Sequence, residues 1–191
     1  MTTADSAAVH DCITVLHSQN VRVCVFDMDL TAVAVHSRGC LRREDMEAYL
    51  QKATPDFLAL VPYLHRAGIG LAVATHSDEA EYGGHVQPET HILGTELVRA
   101  LLDYHFPKTI ATAFFVVAYN PRVRKAVDPN DLIKRHHMRQ ILKHFDTVPQ
   151  ELVFFDDIEA IVRDCCDYCH VRAIQVDATT GFQYKDILDN M

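Results

Sequence analysis

The sequence predicts an α/β domain: a Rossmann-like three-layer sandwich around a central parallel sheet. Three observations predict it. Short apolar, β-branched runs alternate with helical segments along the chain. The runs are continuously apolar, as in strands covered on both faces, and do not alternate as half-exposed strands do. Polar residues gather at the carboxyl ends of these runs: Asp27 and Asp29, Thr75, Asn120, and Asp156 and Asp157. Ligands of open α/β sheets bind at that edge, at a topological switch point.

The elements follow in order. Residues 5–19 read as an amphipathic helix with Val9, Ile13 and Leu16 on one face. Residues 21–26 form the first strand, and 41–53 read as helix. Thr54-Pro55 opens the next helix as N-cap and first-turn proline, and that helix stops near Gly68. A strand at 69–74 is followed by a polar loop with Gly83-Gly84 and Pro88, then a helix at 95–105 and a strand at 113–118. Asp128-Pro129 caps a long helix running to about Phe145, at whose start Lys134 lies. A strand at 151–155, a helix at 158–166 and a strand at 171–176 complete the pattern. The chain reads as a single domain, 1–191, with a core at 21–178 and a C-terminal tail at 179–191. It has no internal repeat or linker.

Composition narrows the function classes. With 49% hydrophobic and 23% charged residues, a 191-residue chain can bury a sizeable core. A net charge of −8 argues against a nucleic-acid surface. A phosphorylated substrate meets a repulsive mean field, so a bound cation must reverse the sign locally. No apolar stretch is long enough to span a bilayer, and the first nine residues do not read as a signal peptide. The expected setting is cytoplasmic, with the six cysteines as free thiols.

The run Val23-Cys24-Val25-Phe26-Asp27-Met28-Asp29-Leu30-Thr31 carries the chemistry. Two carboxylates crowded at a strand end are costly to hold without a hard divalent cation. The spacing fits Asp27 as a nucleophile at phosphorus, with Asp29 as the acid that protonates the leaving oxygen and the base that activates water. Asp157 completes a Mg²⁺ site with Asp27 and the chain at Asp29, Asp156 being a further ligand candidate. Thr75 is placed to hydrogen-bond a phosphoryl oxygen, and Lys134 to balance the gathered charge; Lys125 and Arg124 are its rivals. Ser77 competes with Thr75 as the hydroxyl.

Asp27-Met28-Asp29-Leu30-Thr31 resembles the first motif, DxDxT, of the haloacid dehalogenase superfamily. Thr75, Lys134-Arg135-His136-His137-Met138 and Phe154-Phe155-Asp156-Asp157 resemble its second, third and fourth motifs, in the family's order. From Lys134 to Asp157 the chain is most similar to the magnesium-dependent phosphatase-1 group. That resemblance implies a Mg²⁺-dependent phosphomonoester hydrolase working through an aspartyl-phosphate on Asp27. Its substrates would be phosphotyrosine-type phosphoproteins or phosphorylated small molecules such as sugar phosphates. Thr31, Thr75, His76 and Lys134 would contact the substrate, and Asp27, Asp29, Asp156 and Asp157 the metal. The family usually has a further acid or asparagine in the turn after the fourth motif, which here reads Ile158-Glu159-Ala160-Ile161; either Glu159 or Asp156 compensates, or metal affinity is weaker. His76 stands where asparagine or arginine is usual. Neither insertion is long enough for a full cap domain, so the site is expected to be open. A phosphotransferase on the same residues, and a weakly catalytic module that binds phosphorylated partners, are the alternatives.

Other features read as structural. Cys166-Asp167-Tyr168-Cys169-His170 has haem-attachment spacing, but it lies between a helix and a strand and is expected to hold free thiols, as is neighbouring Cys165. His137 is expected to pack, and His85 and His91 to be solvated. The basic run Arg122-Val123-Arg124-Lys125 is expected at the mouth of the site, either as a solvated turn or as an attractor of phosphorylated partners.

Overall fold

The computed structural model describes residues 3–191. Its strands are β1 (Val23–Phe26), β2 (Leu41–Arg42), β3 (Gly70–Thr75), β4 (His91–Ile92), β5 (Phe114–Ala118), β6 (Leu152–Asp156) and β7 (Arg172–Gln175). Its helices are α1 (Thr3–Ser18), α2 (Met46–Leu50), α3 (Pro55–Arg66), α4 (Gly94–His105), α5 (Lys108–Ala111), α6 (Arg135–Phe145), α7 (Glu159–Cys169) and α8 (Tyr184–Leu188). Five strands form a parallel sheet in the order β5-β3-β1-β6-β7. The chain winds outward from β1 through β3 to β5, then returns to β6 on the other side of β1. The crevice that this reversal leaves at the carboxyl end of β1 is where ligands of such sheets bind.

Alternate residues of each strand face opposite layers. Val23, Val25, Ala72, Ala74 and Phe154 pack with Met138, Ile141, Ile161 and Cys165 of α6 and α7. Cys24, Phe26, Leu71, Val73 and Phe155 face α1, α3, α4 and α8. There Phe26 sits 5.0 Å from Phe57, 5.2 Å from Phe155 and 5.2 Å from Phe182 between ring centroids, anchoring β1 under the site. Gly70 lets α6 close on β3: a Cβ there would lie 2.7 Å from the Phe145 ring. Among the described residues, no helix is long and apolar enough to cross a membrane.

Four expected elements differ. The 41–53 segment is not one helix: Leu41–Arg42 pairs antiparallel with His91–Ile92, a 3₁₀ turn follows, and only Met46–Leu50 is α-helical. A distant partner overrides local propensity there. Thr54 precedes α3 but its hydroxyl makes no capping bond and is buried without a partner. Asp128 caps only a 3₁₀ turn, accepting from Asn130 N at 2.8 Å; Ile133 then turns left-handed (φ +55°) and α6 starts at Arg135. The expected tail holds α8, which has a Gln183–Asp186 capping box, buries Ile187 and packs on α1. The segment after β1 and the loop after β3 thus meet as the small β2–β4 sheet, with α2 beside it, and there is no large cap.

Candidate active site

Asp27 follows β1, its backbone N–H donating to Phe155 O across the sheet at 2.9 Å. The chain then turns back sharply, with Leu30 left-handed (φ +57°). Lys134, at the N-cap of α6, is 1% exposed. Its Nζ lies 2.6 Å from Asp27 Oδ1, donates to the Ala74 carbonyl, and stands 3.9 Å from Asp156 Oδ2. A buried ammonium is tolerable only with such a set of oxygens around it. The left-handed Ile133 just before it, unusual for a β-branched residue, turns the lysine inward. Of the three candidate cations, Lys134 is the one brought to Asp27. Arg124 is bound elsewhere, and Lys125 lines the cavity mouth.

Carboxylate oxygens of Asp27, Asp156 and Asp157 lie within 4.8 Å of one another. Asp156 is fully buried. Its Oδ1 accepts from Ile158 N at 2.9 Å, while Oδ2 has no hydrogen-bond partner among the described residues. Burial, and then the negative charge of Asp27, push the Asp156 carboxyl up to about 8. Burial and Asp27 also raise Asp157. An orphaned carboxylate oxygen among three crowded acids fits a hard, oxygen-seeking divalent cation. Of the two candidate acids, Asp156 is the one that the fold brings to this group. Glu159 points away, bonded to Arg163 at 2.5 Å with both side chains exposed.

The Asp29 side chain does not join this group, so any part Asp29 takes in the metal site falls to its backbone, the contact expected from the sequence. Its Oδ1 accepts from the Tyr49 hydroxyl at 2.5 Å, and its Oδ2 from Ser37 Oγ at 2.6 Å, with His36 Nδ1 at 2.9 Å. Burial raises its pKa, the two hydroxyl bonds oppose the rise, and the charge of Asp27 adds to it. Sequence reasoning missed Tyr49, Ser37 and His36. No spacing marks them, because only the folding of 30–54 over the crevice brings them to Asp29.

Thr75, at the end of β3, lines the cavity. Its Oγ1 accepts from Ser77 N at 3.2 Å, which leaves the hydroxyl proton available to a ligand. The rival Ser77 is occupied: it donates to Gly39 O at 2.7 Å and accepts from Gly94 N at 2.8 Å. His76 also lines the cavity, its Nε2 3.0 Å from Ile133 O; burial, then Lys134, lower it to about 4, so the ring is neutral and donates. His137 is fully buried, with Nε2 2.8 Å from Thr75 O, and fixes the end of β3 from beneath. Thr31, expected to contact substrate, does not line the cavity. It is fully buried and its carbonyl accepts from Phe182 N at 2.9 Å, so it closes the turn after β1 against the C-terminal segment. Asp78 was not singled out by sequence. It is fully buried and accepts from Arg124 (2.8 and 2.7 Å) and Asn120 N (2.8 Å), tying the loop after β3 to the loop after β5. His85 is exposed and His91 half-buried, and neither lines the cavity. All six thiols are free; Cys165 is buried, Cys169 half-buried and Cys166 exposed on α7.

These residues open on a cavity of 880 Å³ whose floor carries Asp27, Lys134 and Thr75. No family model matches this sequence, and no curated protein matches it. Among solved structures, the chain is similar to a haloacid dehalogenase-like family hydrolase from Streptococcus pneumoniae. The identity is 14% and the TM-score 0.50, over 90% of this chain and 91% of that one. At this identity the likeness is one of fold: a haloacid dehalogenase-like α/β sandwich, with a central five-stranded parallel sheet flanked by helices and no large cap.

Proposed function

We propose that this chain is a Mg²⁺-dependent phosphomonoester hydrolase of the magnesium-dependent phosphatase-1 kind, acting through an aspartyl-phosphate on Asp27. One observation carries the reading. A buried lysine sits 2.6 Å from Asp27, which shares a 4.8 Å acidic group with Asp156 and Asp157, while Asp29 is held apart from that group by hydroxyl donors.

In the first half-reaction the Asp27 carboxylate forms a bond to phosphorus as the bond to the leaving oxygen breaks. Asp29 passes its proton to that oxygen. In the second half, water attacks phosphorus and gives its proton to Asp29. The bond to Asp27 then breaks, returning the carboxylate and releasing phosphate. Lys134 stays paired with Asp27 and offsets negative charge on the phosphoryl group, and the free Thr75 proton is offered to a phosphoryl oxygen. Mg²⁺, held by Asp27, Asp156 and Asp157, would neutralise further charge on the phosphoryl oxygens. Burial favours the protonated form of Asp29 that the first step needs. Phosphotyrosine-type esters and sugar phosphates are the substrate classes implied by the resemblance.

The test is hydrolysis of p-nitrophenyl phosphate with and without Mg²⁺, on wild type and Asp27→Asn. Mg²⁺-dependent turnover that falls by on the order of 10³-fold or more in the variant is the expected result. Asp27→Asn retaining a tenth of wild-type turnover would show that Asp27 is not the nucleophile.

A further inference from the structure

We propose that the phosphomonoester taken by this site is a small molecule carrying a second anionic group, which Arg38, Arg122 and Lys125 bind at the cavity mouth. The inference rests on the phosphatase reading above and specifies its substrate class.

The reaction centre does not account for these three cations. Lys134 is already matched to Asp27, and a single phosphoryl group has Lys134 and Thr75 at the cavity floor. Arg38, Arg122 and Lys125 all line the cavity, all are exposed, and none has an acidic side-chain partner among the described residues. Arg124 shows the contrast within the same loop. Its guanidinium grips buried Asp78 through two bonds and holds the loop in place, leaving Arg122 and Lys125 on either side free to face the opening. The fold thus uses one cation of the run and leaves two.

The acid at this rim is itself engaged. Glu81 Oε1 accepts from Asn120 Nδ2 at 2.9 Å, and its carboxyl lies 3.5 Å from where a Cβ on Gly39 would sit. Glu81 therefore stands between the 38–39 segment and the 120–125 loop, bracing the two basic edges across the opening. Asn120 adds to the brace: its N–H donates to Asp78, and its Oδ1 accepts from Arg122 N at 3.1 Å. Three cations with no acidic partner among the described residues, against the one carboxylate of Glu81, make a positive rim on a chain of net charge −8, and a concave positive rim concentrates anions.

Between floor and rim the wall is apolar, with Leu132 38% and Ile158 49% exposed beside Ala126. A cavity of 880 Å³ lies within the range of small-molecule sites and far exceeds one phosphate. The ligand that fits has a reactive phosphate at Asp27, a carbon body along this wall, and a second phosphate or carboxylate at the rim, where guanidinium groups bind such oxyanions well.

The experiment measures kcat/KM of the Mg²⁺-loaded protein for two matched pairs: adenosine 3′,5′-bisphosphate against adenosine 5′-monophosphate, and fructose 1,6-bisphosphate against fructose 6-phosphate. At least one bisphosphate should be preferred by on the order of 10-fold or more, the difference lying in KM. In Arg122→Ala/Lys125→Ala that ratio should fall towards one, and in Arg38→Ala part of the way. Arg163→Ala, which removes a cation outside the cavity, should leave the ratio unchanged. A wild-type ratio near one in both pairs, with p-nitrophenyl phosphate still hydrolysed, overturns this inference and leaves the phosphatase reading standing. Failure to hydrolyse p-nitrophenyl phosphate and every ester overturns both. A ratio that falls equally in Arg163→Ala reduces the effect to net charge, and a higher kcat/KM for an acidic phosphotyrosine peptide than for either bisphosphate overturns the small-molecule assignment.

Discussion

Replacing Lys134 by methionine keeps most of the side-chain volume and removes the ammonium that faces Asp27 at 2.6 Å and Asp156 at 3.9 Å. Three carboxyl groups within 4.8 Å then have no buried protein cation, and the Ala74 carbonyl loses its donor. Removing one partner of a buried ion pair costs roughly 3–5 kcal/mol. The lower end applies here, because Asp156, raised to about 8, already holds a proton near neutral pH and adds little to the uncompensated charge. A loss of about 3 kcal/mol in a chain of this size lowers Tm by about 6–12 °C. Mg²⁺ restores positive charge at the same place. If it binds the variant about tenfold more tightly than wild type, it returns ~1.4 kcal/mol, close to half the deficit. The assay is thermal unfolding of both proteins by circular dichroism, in EDTA and in saturating Mg²⁺. A large deficit in EDTA that shrinks in Mg²⁺ is expected. An equal deficit in both, or none in EDTA, would refute the claim that Lys134 and the metal compensate the same charge.

Two further outcomes follow from the buried titrating groups. Asp156, raised to about 8 by burial and Asp27, binds a proton in the folded protein that the unfolded chain has lost, so its contribution to stability falls as pH rises through 8. Metal-free Tm should therefore decline between pH 6.5 and 8, by up to about 1.4 kcal/mol of stability per pH unit. Saturating Mg²⁺, which displaces that proton, should flatten the decline; a metal-free Tm that rises over this interval would contradict it. His76 runs the other way: lowered to about 4 by burial and Lys134, it contributes stability above the unfolded pKa near 6.5 that is lost as pH falls towards 4. Its ring proton resonance should titrate near 4 in NMR spectra of the folded protein, and a midpoint near 6.5 would show that the ring is not buried as described.

Much of this architecture was legible because it is local. The continuous apolar runs at 21–26, 69–74 and 151–155 and the acids that end them are sequence patterns, and each strand lies within a residue or two of its expected span. The placing of Asp27 and Asp29 just past β1 was legible for the same reason, since the apolar run that they end is a local pattern. Segment 41–53 does not show its strand in sequence, because the β partner of Leu41–Arg42 is His91–Ile92, far along the chain. Asp128 was read as the start of a long helix because its cap signal is genuine, but the turn it caps is a short 3₁₀ one and Ile133 breaks the chain before α6.

The sequence by itself determined the layers, the strand ends and the residue types at the crevice, since periodicity and motif spacing are properties of neighbouring residues. Only the tertiary structure decided their partners. It brought Lys134 to Asp27 while tying Arg124 to Asp78, gave Asp156 rather than Glu159 to the acidic group, and withdrew the side chain of Asp29 into the grip of Tyr49 and Ser37. It also buried Thr31 beneath the C-terminal segment and left Arg38, Arg122 and Lys125 around the opening without an acidic partner among the described residues. The physical reason is the same in each case. A charge acquires its role from burial and from the partners within about 4 Å, and those partners come from chain segments that no local pattern connects.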